Sequence, residues 1–503
     1  MKKILVFLHK WLGVVLAVFF LVWFASGIVL YFVPFPSLGQ TERLAGLPPL
    51  EVPAGCCLSA QEAAQRAGLH FTEARLGMHG PTPVWRLLAP DGGRPRWRTV
   101  EAGTGKLLPM LGPEEAAAVA AAFSQRQAVQ TDMLERDQWT VAQGLDSHRP
   151  LFKVALDGAD GLELYVSPDA GEVVRDTRRS ERFWNWLGAV PHWIYPTVLR
   201  QFPKVWHQVV VWTSIAAVLL AATGLLLGVW QLFLNRNRWI PYRKFWMRWH
   251  HIAGLVAAIF TLTWIFSGLM SMNPFGVFSS RGVPSSERMQ WLGAAAPALD
   301  NPAAAVRQAR AHGLALRELD VVQVAGQAWY RLRDAERQLL VRAEVGAAAQ
   351  EPVAAVPDAT VLAALAGLRS EVGMPVVRRL DAYDGMYYAR HPGSPDVRHI
   401  RPLPVWRAEW SDGVAVYADP ASARILLRAD PSTQWQRVLY NGLHSFDFAP
   451  LLAWPWVRHG LVVGLSLLGL ALCITSCVLA WRVLVPRVPR SAAARRTIAQ
   501  GER

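Results

Sequence analysis

The chain has 503 residues, of which 52% are hydrophobic and 18% charged, with 23 tryptophans and a formal net charge of +14. It is more apolar, and richer in the aromatic residues that favour membrane interfaces, than an ordinary soluble chain. Its positive charge would suit a nucleic-acid partner, but Lys and Arg form no basic stripe interleaved with aromatic residues. They flank apolar spans or scatter through the polar regions. The sequence therefore predicts a protein that lies in the lipid bilayer and does not bind nucleic acid.

Four segments are long enough to cross a bilayer core, which takes roughly 20 apolar residues: residues 11–33, 209–232, 252–272 and 460–485. The first is too long for the apolar part of a cleaved signal peptide, so we predict an uncleaved anchor. Lys and Arg cluster before the first span, between the second and third, and after the fourth. These clusters predict cytoplasmic termini, with both long connections on the periplasmic side of a bacterial inner membrane.

The long connections alternate short helical patterns with hairpin patterns, which is typical of α+β modules. Ser59 followed by Glu62 predicts a capping box at the start of a helix, and residues 152–156 and 162–166 predict a hairpin around residues 157–161. Aromatic segments precede the second and fourth spans and are expected at the membrane interface. The predicted division is transmembrane helix 1 at 1–33, a periplasmic α+β domain at 34–182, an interfacial segment with helix 2 at 183–233, a basic cytoplasmic loop at 234–249, helix 3 at 250–272, a second periplasmic domain at 273–434, an interfacial segment with helix 4 at 435–485, and a basic cytoplasmic tail at 486–503.

The first and third spans repeat each other. Shifting residues 9–27 by 241 positions places them on residues 250–268. The shift superimposes His9 on His250 and Gly13 on Gly254, and it also aligns Trp23 with Trp264 and Ser26-Gly27 with Ser267-Gly268. Such self-similarity predicts two structural halves.

A second shift, of 252 positions, relates the regions around the other two spans. It aligns His192 with His444, His207 with His459, and Thr223 with Thr475. The two shifts together predict a four-helix transmembrane bundle built from two parallel repeats, related by an axis along the membrane normal.

Three histidine pairs therefore occupy equivalent places, and two imidazoles that face across an axis suit six-coordinate haem iron. The residues four and eight positions after His9 and His250 are small, which leaves room for a flat macrocycle. The span centres hold no Asp, Glu, Lys or Arg, which favours electron transfer over ion transport. A single histidine at a helix edge is often only a hydrogen-bonding residue. The hypothesis of haem binding therefore rests on the pairing of the histidines between the two repeats.

The remaining histidines and the cysteines give weaker signals. His70, His79, His148, His312, His391 and His399 lack repeat partners and are predicted to be surface residues. No C-x-x-C-H motif occurs, which excludes covalent c-type haem attachment. Cys56 and Cys57 are adjacent, and neighbouring cysteines are not expected to bridge.

The chain resembles the PepSY-associated transmembrane proteins, a group that includes siderophore-iron reductases of the ferrioxamine type. The resemblance lies in H-x-x-x-G followed by W-x-x-S-G in spans one and three, P-H-W at 191–193, L-H-S-F-D-F at 443–448, and Y-V-S-P-D-A-G-E at 165–172. It implies PepSY-like periplasmic domains and two b-type haems. Carried over by position, the iron ligands are His9 with His250 and, on the periplasmic side, His192 with His444 or alternatively His207 with His459.

The resulting hypothesis is an inner-membrane haem oxidoreductase that reduces a ferric siderophore in the periplasm and releases Fe(II). No G-x-G-x-x-G motif with a following acidic residue is present, so the electron donor is expected to be another cytoplasmic or membrane molecule. Catalytic residues are not assigned. Two alternatives remain open: a non-redox PepSY regulator or anchor that binds a periplasmic peptidase or envelope partner, and a siderophore permease.

Overall fold

The structure is a computed structural model that describes residues 2–53, 55–234, 240–279, 282–293, 297–346, 351–389 and 401–485. Its α-helices are α1 (Lys2–Phe32), α2 (Gln40–Gly46), α3 (Ala60–Arg66), α4 (Pro113–Ser124), α5 (Arg179–Leu187), α6 (Ala189–His192), α7 (Thr197–Arg200), α8 (Pro203–Leu234), α9 (Phe245–Ser271), α10 (Ser285–Leu292), α11 (Pro302–Ala311), α12 (Asp358–Gly367), α13 (Pro431–Gln436), α14 (Leu443–Ser445), α15 (Ala449–Leu452) and α16 (Pro455–Leu484). A π-helical stretch spans Arg437–Gly442, and short 3-10 helices span Gln143–His148 and Pro274–Gly276.

Four of these helices, α1, α8, α9 and α16, are long and apolar enough to cross a membrane, as the sequence predicted. Helix α1 packs against α8 and α16, and α9 packs against the same two helices. Helices α1 and α9 therefore occupy opposite corners of a four-helix bundle. The connections that carry the β-strands all leave from one end of the bundle, which we call the sheet-bearing end.

The strands form three antiparallel sheets outside the bundle. They are β1 (Glu73–His79), β2 (Thr82–Asp91), β3 (Arg94–Glu101), β4 (Ala128–Leu134), β5 (Leu151–Leu156), β6 (Glu163–Ser167), β7 (Glu172–Thr177), β8 (Glu318–Val324), β9 (Gln327–Arg333), β10 (Gln338–Arg342), β11 (Val376–Leu380), β12 (Val405–Glu409), β13 (Ala415–Asp419) and β14 (Arg424–Ala429). The sheet orders are β10-β9-β8-β1-β2-β3, β4-β5-β6-β7 and β11-β12-β13-β14.

The six-stranded sheet joins the two long connections, because β1 of the first pairs with β8 of the second. At this junction Arg75 lies opposite Asp320, and Leu76 lies opposite Leu319. Both leucines are fully buried in one core with side chains from the two connections. The residue ranges predicted for two separate domains thus share one sheet and one core.

Several local predictions are confirmed. The Ser59 hydroxyl accepts from the Glu62 backbone N–H, and the Glu62 carboxylate accepts from the Ser59 N–H, which is the predicted capping box before α3. Strands β5 and β6 form the predicted hairpin around residues 157–161. At the next turn Gly171 has a φ of +61°, a conformation that glycine adopts without steric cost.

Other predictions are corrected. Cys56 and Cys57 are joined by a disulfide, contrary to the expectation for neighbouring cysteines. Part of the predicted basic loop (residues 235–239), the tail at 486–503, His391 and His399 lie outside the described residues.

Buried ion pairs tie the sheets together where they meet. Arg43 of α2 contacts Glu172 of β7 at 3.0 Å and Glu318 of β8 at 2.7 Å. Arg75 of β1 contacts the same two carboxylates at 2.6 and 3.4 Å. One group of charges therefore links β1, β7 and β8 to α2.

This group makes stability depend on pH. Burial alone would raise the pKa of Glu172, but Arg75, Arg43 and Arg86 outweigh it and lower the pKa to about 2. The unfolded value is about 4.3, so the stabilisation is complete above that pH and is lost as pH falls toward 2. We expect Glu172→Gln to lower the melting temperature near pH 7 and the difference from wild type to shrink as pH falls. Melting curves of both proteins at several pH values measure this, and a difference that is constant with pH would contradict it.

Candidate functional site

His9 and His250 face each other across the bundle at the end away from the sheets, and we call them the sheet-distal pair. His9 lies on α1 and His250 on α9, the two helices at opposite corners. The ring centroids are 6.2 Å apart and the ring planes are inclined at 42°. Both side chains are half-buried. The two imidazoles thus lie opposite each other between α1 and α9.

Each ring of the sheet-distal pair is held by the helix beside it. Nδ1 of His9 lies 3.3 Å from the Leu220 carbonyl oxygen of α8. Nδ1 of His250 lies 3.2 Å from the Thr475 hydroxyl of α16. Gly224 makes room for His9, since a Cβ at that position would come within 2.7 Å of the imidazole Cε1.

His192 and His444 form a second facing pair near the sheet-bearing end, which we call the sheet-proximal pair. His192 ends α6 and His444 lies in α14, so both come from the short segments that precede the spans. Their ring centroids are also 6.2 Å apart, with an interplanar angle of 61°. Two of the three repeat-matched pairs are therefore brought together at the same spacing.

The W-x-x-S-G motifs of α1 and α9 receive the sheet-proximal rings. Nδ1 of His192 lies 3.1 Å from the Trp23 carbonyl oxygen and 3.3 Å from the Ser26 hydroxyl. A Cβ at Gly27 would come 3.1 Å from His192 Cε1, so glycine allows the ring to approach the helix closely. Carbonyl, hydroxyl and glycine together form a seat for one imidazole.

The seat is repeated in α9. Nδ1 of His444 lies 3.3 Å from the Trp264 carbonyl oxygen and 3.0 Å from the Ser267 hydroxyl. Gly268 stands where Gly27 stands in α1, with its would-be Cβ 3.6 Å from His444 Cε1. The repeat aligns these serines and glycines, but it did not predict that they contact the imidazoles. The signal was a polar Ser-Gly step, repeated inside two otherwise apolar spans.

The third matched pair is held differently. Nε2 of His207 lies 2.9 Å from the Met272 carbonyl oxygen at the end of α9. Nδ1 of His459 lies 2.8 Å from the Tyr31 hydroxyl, and the His459 ring also packs against Phe32 at the end of α1. Each of these histidines is therefore anchored to a helix end, and no ring contact between the two is seen in the described part of the chain.

The two facing pairs can be tested for their fit to haem. Metal–imidazole bonds of about 2 Å on opposite faces of an iron place the two ring centroids roughly 6 Å apart, once the distance from nitrogen to ring centre is added. Both observed spacings are 6.2 Å. All four rings make hydrogen bonds through Nδ1. The ring nitrogen that would bind a metal is therefore Nε2.

A metal bound by protein ligands alone fits less well. Structural zinc takes four protein ligands and catalytic zinc three. No group of three or more His, Cys, Asp or Glu side chains converges within the described ranges. Two facing imidazoles suit an iron whose other four ligands come from a macrocycle.

Aromatic side chains fill the bundle between the pairs. Phe24 packs against Trp264 at 5.8 Å and against Phe260 at 6.5 Å. The indole Nε1 of Trp264 is buried without a hydrogen-bond partner among the described residues. Ser26 follows His9 by seventeen positions in α1, which corresponds to roughly 25 Å along the helix.

A model of the PepSY-associated TM region matches residues 6–368, which is more than half of the chain. The match covers the first three membrane helices and extends to the end of α12. A search among curated proteins finds no match. Together with the four apolar helices, the match shows that the chain is a membrane protein and belongs to the PepSY-associated TM region family.

Proposed function

We propose that the protein is a b-type haem oxidoreductase of the bacterial inner membrane that passes electrons to a ferric siderophore in the periplasm. In this proposal the termini are cytoplasmic and the sheets are periplasmic. The observation that carries it is the pair of facing imidazole sets, both at 6.2 Å. Haem bound at each set would supply one-electron redox chemistry.

The chain's own residues would tune and orient the ligands. A hydrogen bond at Nδ1 fixes the tautomer and the ring orientation and raises the basicity of Nε2. The carbonyl oxygens of Leu220, Trp23 and Trp264 serve this purpose at His9, His192 and His444. At His250 the Thr475 hydroxyl takes that place.

The apolar bundle would keep water from the electron path. Its buried cluster includes Leu16, Phe20, Phe24 and Leu220, with Phe260 and Trp264 packed against it. Low dielectric surroundings favour the less charged state of a redox centre, so burial helps to set the potential. Electrons from a cytoplasmic or membrane donor would enter at the sheet-distal pair and leave at the sheet-proximal pair.

The substrate assignment follows from the resemblance and from chemistry. Ferrous iron is softer than ferric iron and binds the hard oxygen ligands of siderophores more weakly, so reduction releases the metal as Fe(II). The sheet-proximal pair lies at the end of the bundle from which the sheets extend, so a chelate held by the sheets would be near it.

The proposal predicts that the dithionite-reduced protein, freed of excess reductant, is reoxidised by a ferric trihydroxamate chelate with formation of Fe(II). We expect the double variant His192→Ala/His444→Ala to react more than about tenfold more slowly, because the exit site loses both axial ligands. Anaerobic stopped-flow spectroscopy with a ferrous-iron indicator measures both events.

The matched control is His207→Ala/His459→Ala, which removes two histidines whose rings contact the Met272 carbonyl oxygen and the Tyr31 hydroxyl, respectively. It should react like wild type. Equal rates for both double variants and the wild type would contradict the proposed route. A non-redox regulator predicts no haem spectrum at all, and a permease predicts chelate transport without a change in iron oxidation state.

A further inference from the structure

A cavity of about 290 Å³ lies where the three sheets meet, and we call it the junction cavity. Its lining comes from β1, β3, β7, β8, β9 and β14, from α2, and from the 3-10 helix Gln143–His148. It lies at the small end of the size range of ligand sites, which begins at roughly 300 Å³. The volume suits a small organic molecule.

Positive charge exceeds negative charge at the junction cavity. Arg86 and Glu318 lie just behind the lining, in contact with Glu172 and with Arg43, respectively. Six guanidinium groups are then balanced by only four carboxylates, and the ten residues are Arg43, Arg75, Arg86, Arg331, Arg333, Arg424, Glu73, Glu172, Glu318 and Asp320. An anion with two or more negative charges would compensate the excess.

The cavity also holds polar atoms without partners. Nδ1 of His148 and Nε of Arg75 are buried and make no hydrogen bond within the described ranges. The His148 ring is stacked on Trp97 at 5.8 Å, and the Arg75 guanidinium lies 4.1 Å from the centre of the same indole. Burial lowers the pKa of His148 to about 4, so its ring is neutral at pH 7. A buried polar atom left unpaired is costly, so such atoms indicate a missing partner.

Guanidinium groups match carboxylates in geometry as well as charge, because each can donate two parallel hydrogen bonds. Here the guanidinium groups of the lining come from four elements, α2, β1, β9 and β14, so donors reach the cavity from several parts of its wall. Spread donors suit several carboxylates on one molecule better than a single phosphate. We propose that the junction cavity binds a small polycarboxylate, either as the free acid or as its ferric chelate.

The cavity is connected to the sheet-proximal pair through one apolar cluster. Leu145 lines the cavity and packs in a buried cluster with Val190. Val190 and His192 belong to the same short helix, α6. A ferric polycarboxylate in the cavity would therefore lie near the exit of the electron path. Only this ferric form of the ligand rests on the proposed function.

The test is isothermal titration calorimetry of the full-length protein in detergent with citrate, ferric citrate and inorganic phosphate. We expect saturable binding of citrate, ferric citrate or both, and at least tenfold weaker binding of phosphate. Arg424→Gln should weaken citrate or ferric citrate binding about tenfold or more, because the Arg424 side chain is half-exposed at the cavity and its contact with Asp320, at 3.6 Å, is long. His148→Phe should also weaken binding, since it keeps the stack on Trp97 and removes the unpartnered nitrogen.

The matched control is Arg379→Gln, whose side chain is as exposed as that of Arg424 but lies on β11 outside the lining. It should bind like wild type. Absence of saturable binding to wild type, equal binding of phosphate, or unchanged binding by Arg424→Gln would each overturn the proposal. If the haem proposal fails and the cavity proposal holds, the purified protein will be colourless and will still bind citrate.

Discussion

On the haem proposal, the double variant His9→Ala/His250→Ala is expected to lose one of two bound haems and to keep the other. These two rings are the only protein groups that we assign as axial ligands at that end, and their centroids lie 6.2 Å apart. Removing both leaves the macrocycle no axial bond, while the sheet-proximal pair is untouched. The pyridine haemochrome assay on purified protein, normalised to protein concentration, should give half of the wild-type haem.

Single substitutions should behave differently. His9→Ala keeps His250, so we expect that site to keep its haem in part and to lose the low-spin spectrum of two axial imidazoles. The control is again His207→Ala/His459→Ala, in which the lost contacts are to the Met272 carbonyl and the Tyr31 hydroxyl. Halved haem in this control with full haem in His9→Ala/His250→Ala would reverse the ligand assignment.

Asp447→Asn should destabilise the protein by about 3–5 kcal/mol, because it removes a buried carboxylate that pairs with the buried Arg458 guanidinium. Asp447 is fully buried and lies 3.2 Å from Nη1 of Arg458, which is 2% exposed. Arg458 Nε also donates to the Tyr31 hydroxyl at 3.2 Å, and that hydroxyl contacts His459. The ion pair therefore joins the start of α16 to the segment that follows His444. The hydrogen bond to Tyr31 joins the start of α16 to the end of α1.

Thermal unfolding in detergent measures the effect. The matched control is Asp412→Asn, whose carboxylate pairs with Arg369 at 2.7 Å but is 41% exposed. Water reaches the Asp412 carboxylate, and Arg369 keeps its contact with Glu287 at 3.3 Å, so the melting temperature of this variant should change little. Equal decreases in the melting temperatures of the two variants would contradict the prediction that the buried pair contributes more to stability.

Sequence patterns predicted the parts of the fold that depend on local chemistry. The four apolar spans follow from length and hydropathy alone, and the capping box at Ser59 and Glu62 follows from hydrogen-bonding groups three residues apart. The sheet shared by β1 and β8 could not be predicted in this way. It joins residues some 240 positions apart, such as Arg75 and Asp320, and the pattern within a strand does not specify its partner.

The candidate site, too, could be predicted only in part from the sequence. The repeat identified His9, His250, His192 and His444 as equivalent pairs. Only the fold shows that the members of each pair lie 6.2 Å apart, and that His207 and His459 contact the ends of two different helices. His148 was predicted to be a surface residue, yet it lines the junction cavity with a buried Nδ1. A single histidine in a loop has no periodic neighbours that would reveal its burial.

The central claim is that iron porphyrin joins the facing imidazoles, and haem quantitation with electron paramagnetic resonance of the wild-type protein tests it most directly. The account predicts about two haems per chain and low-spin ferric signals from two axial imidazoles at each. Folded protein that contains no porphyrin after expression with added haem precursor would contradict it.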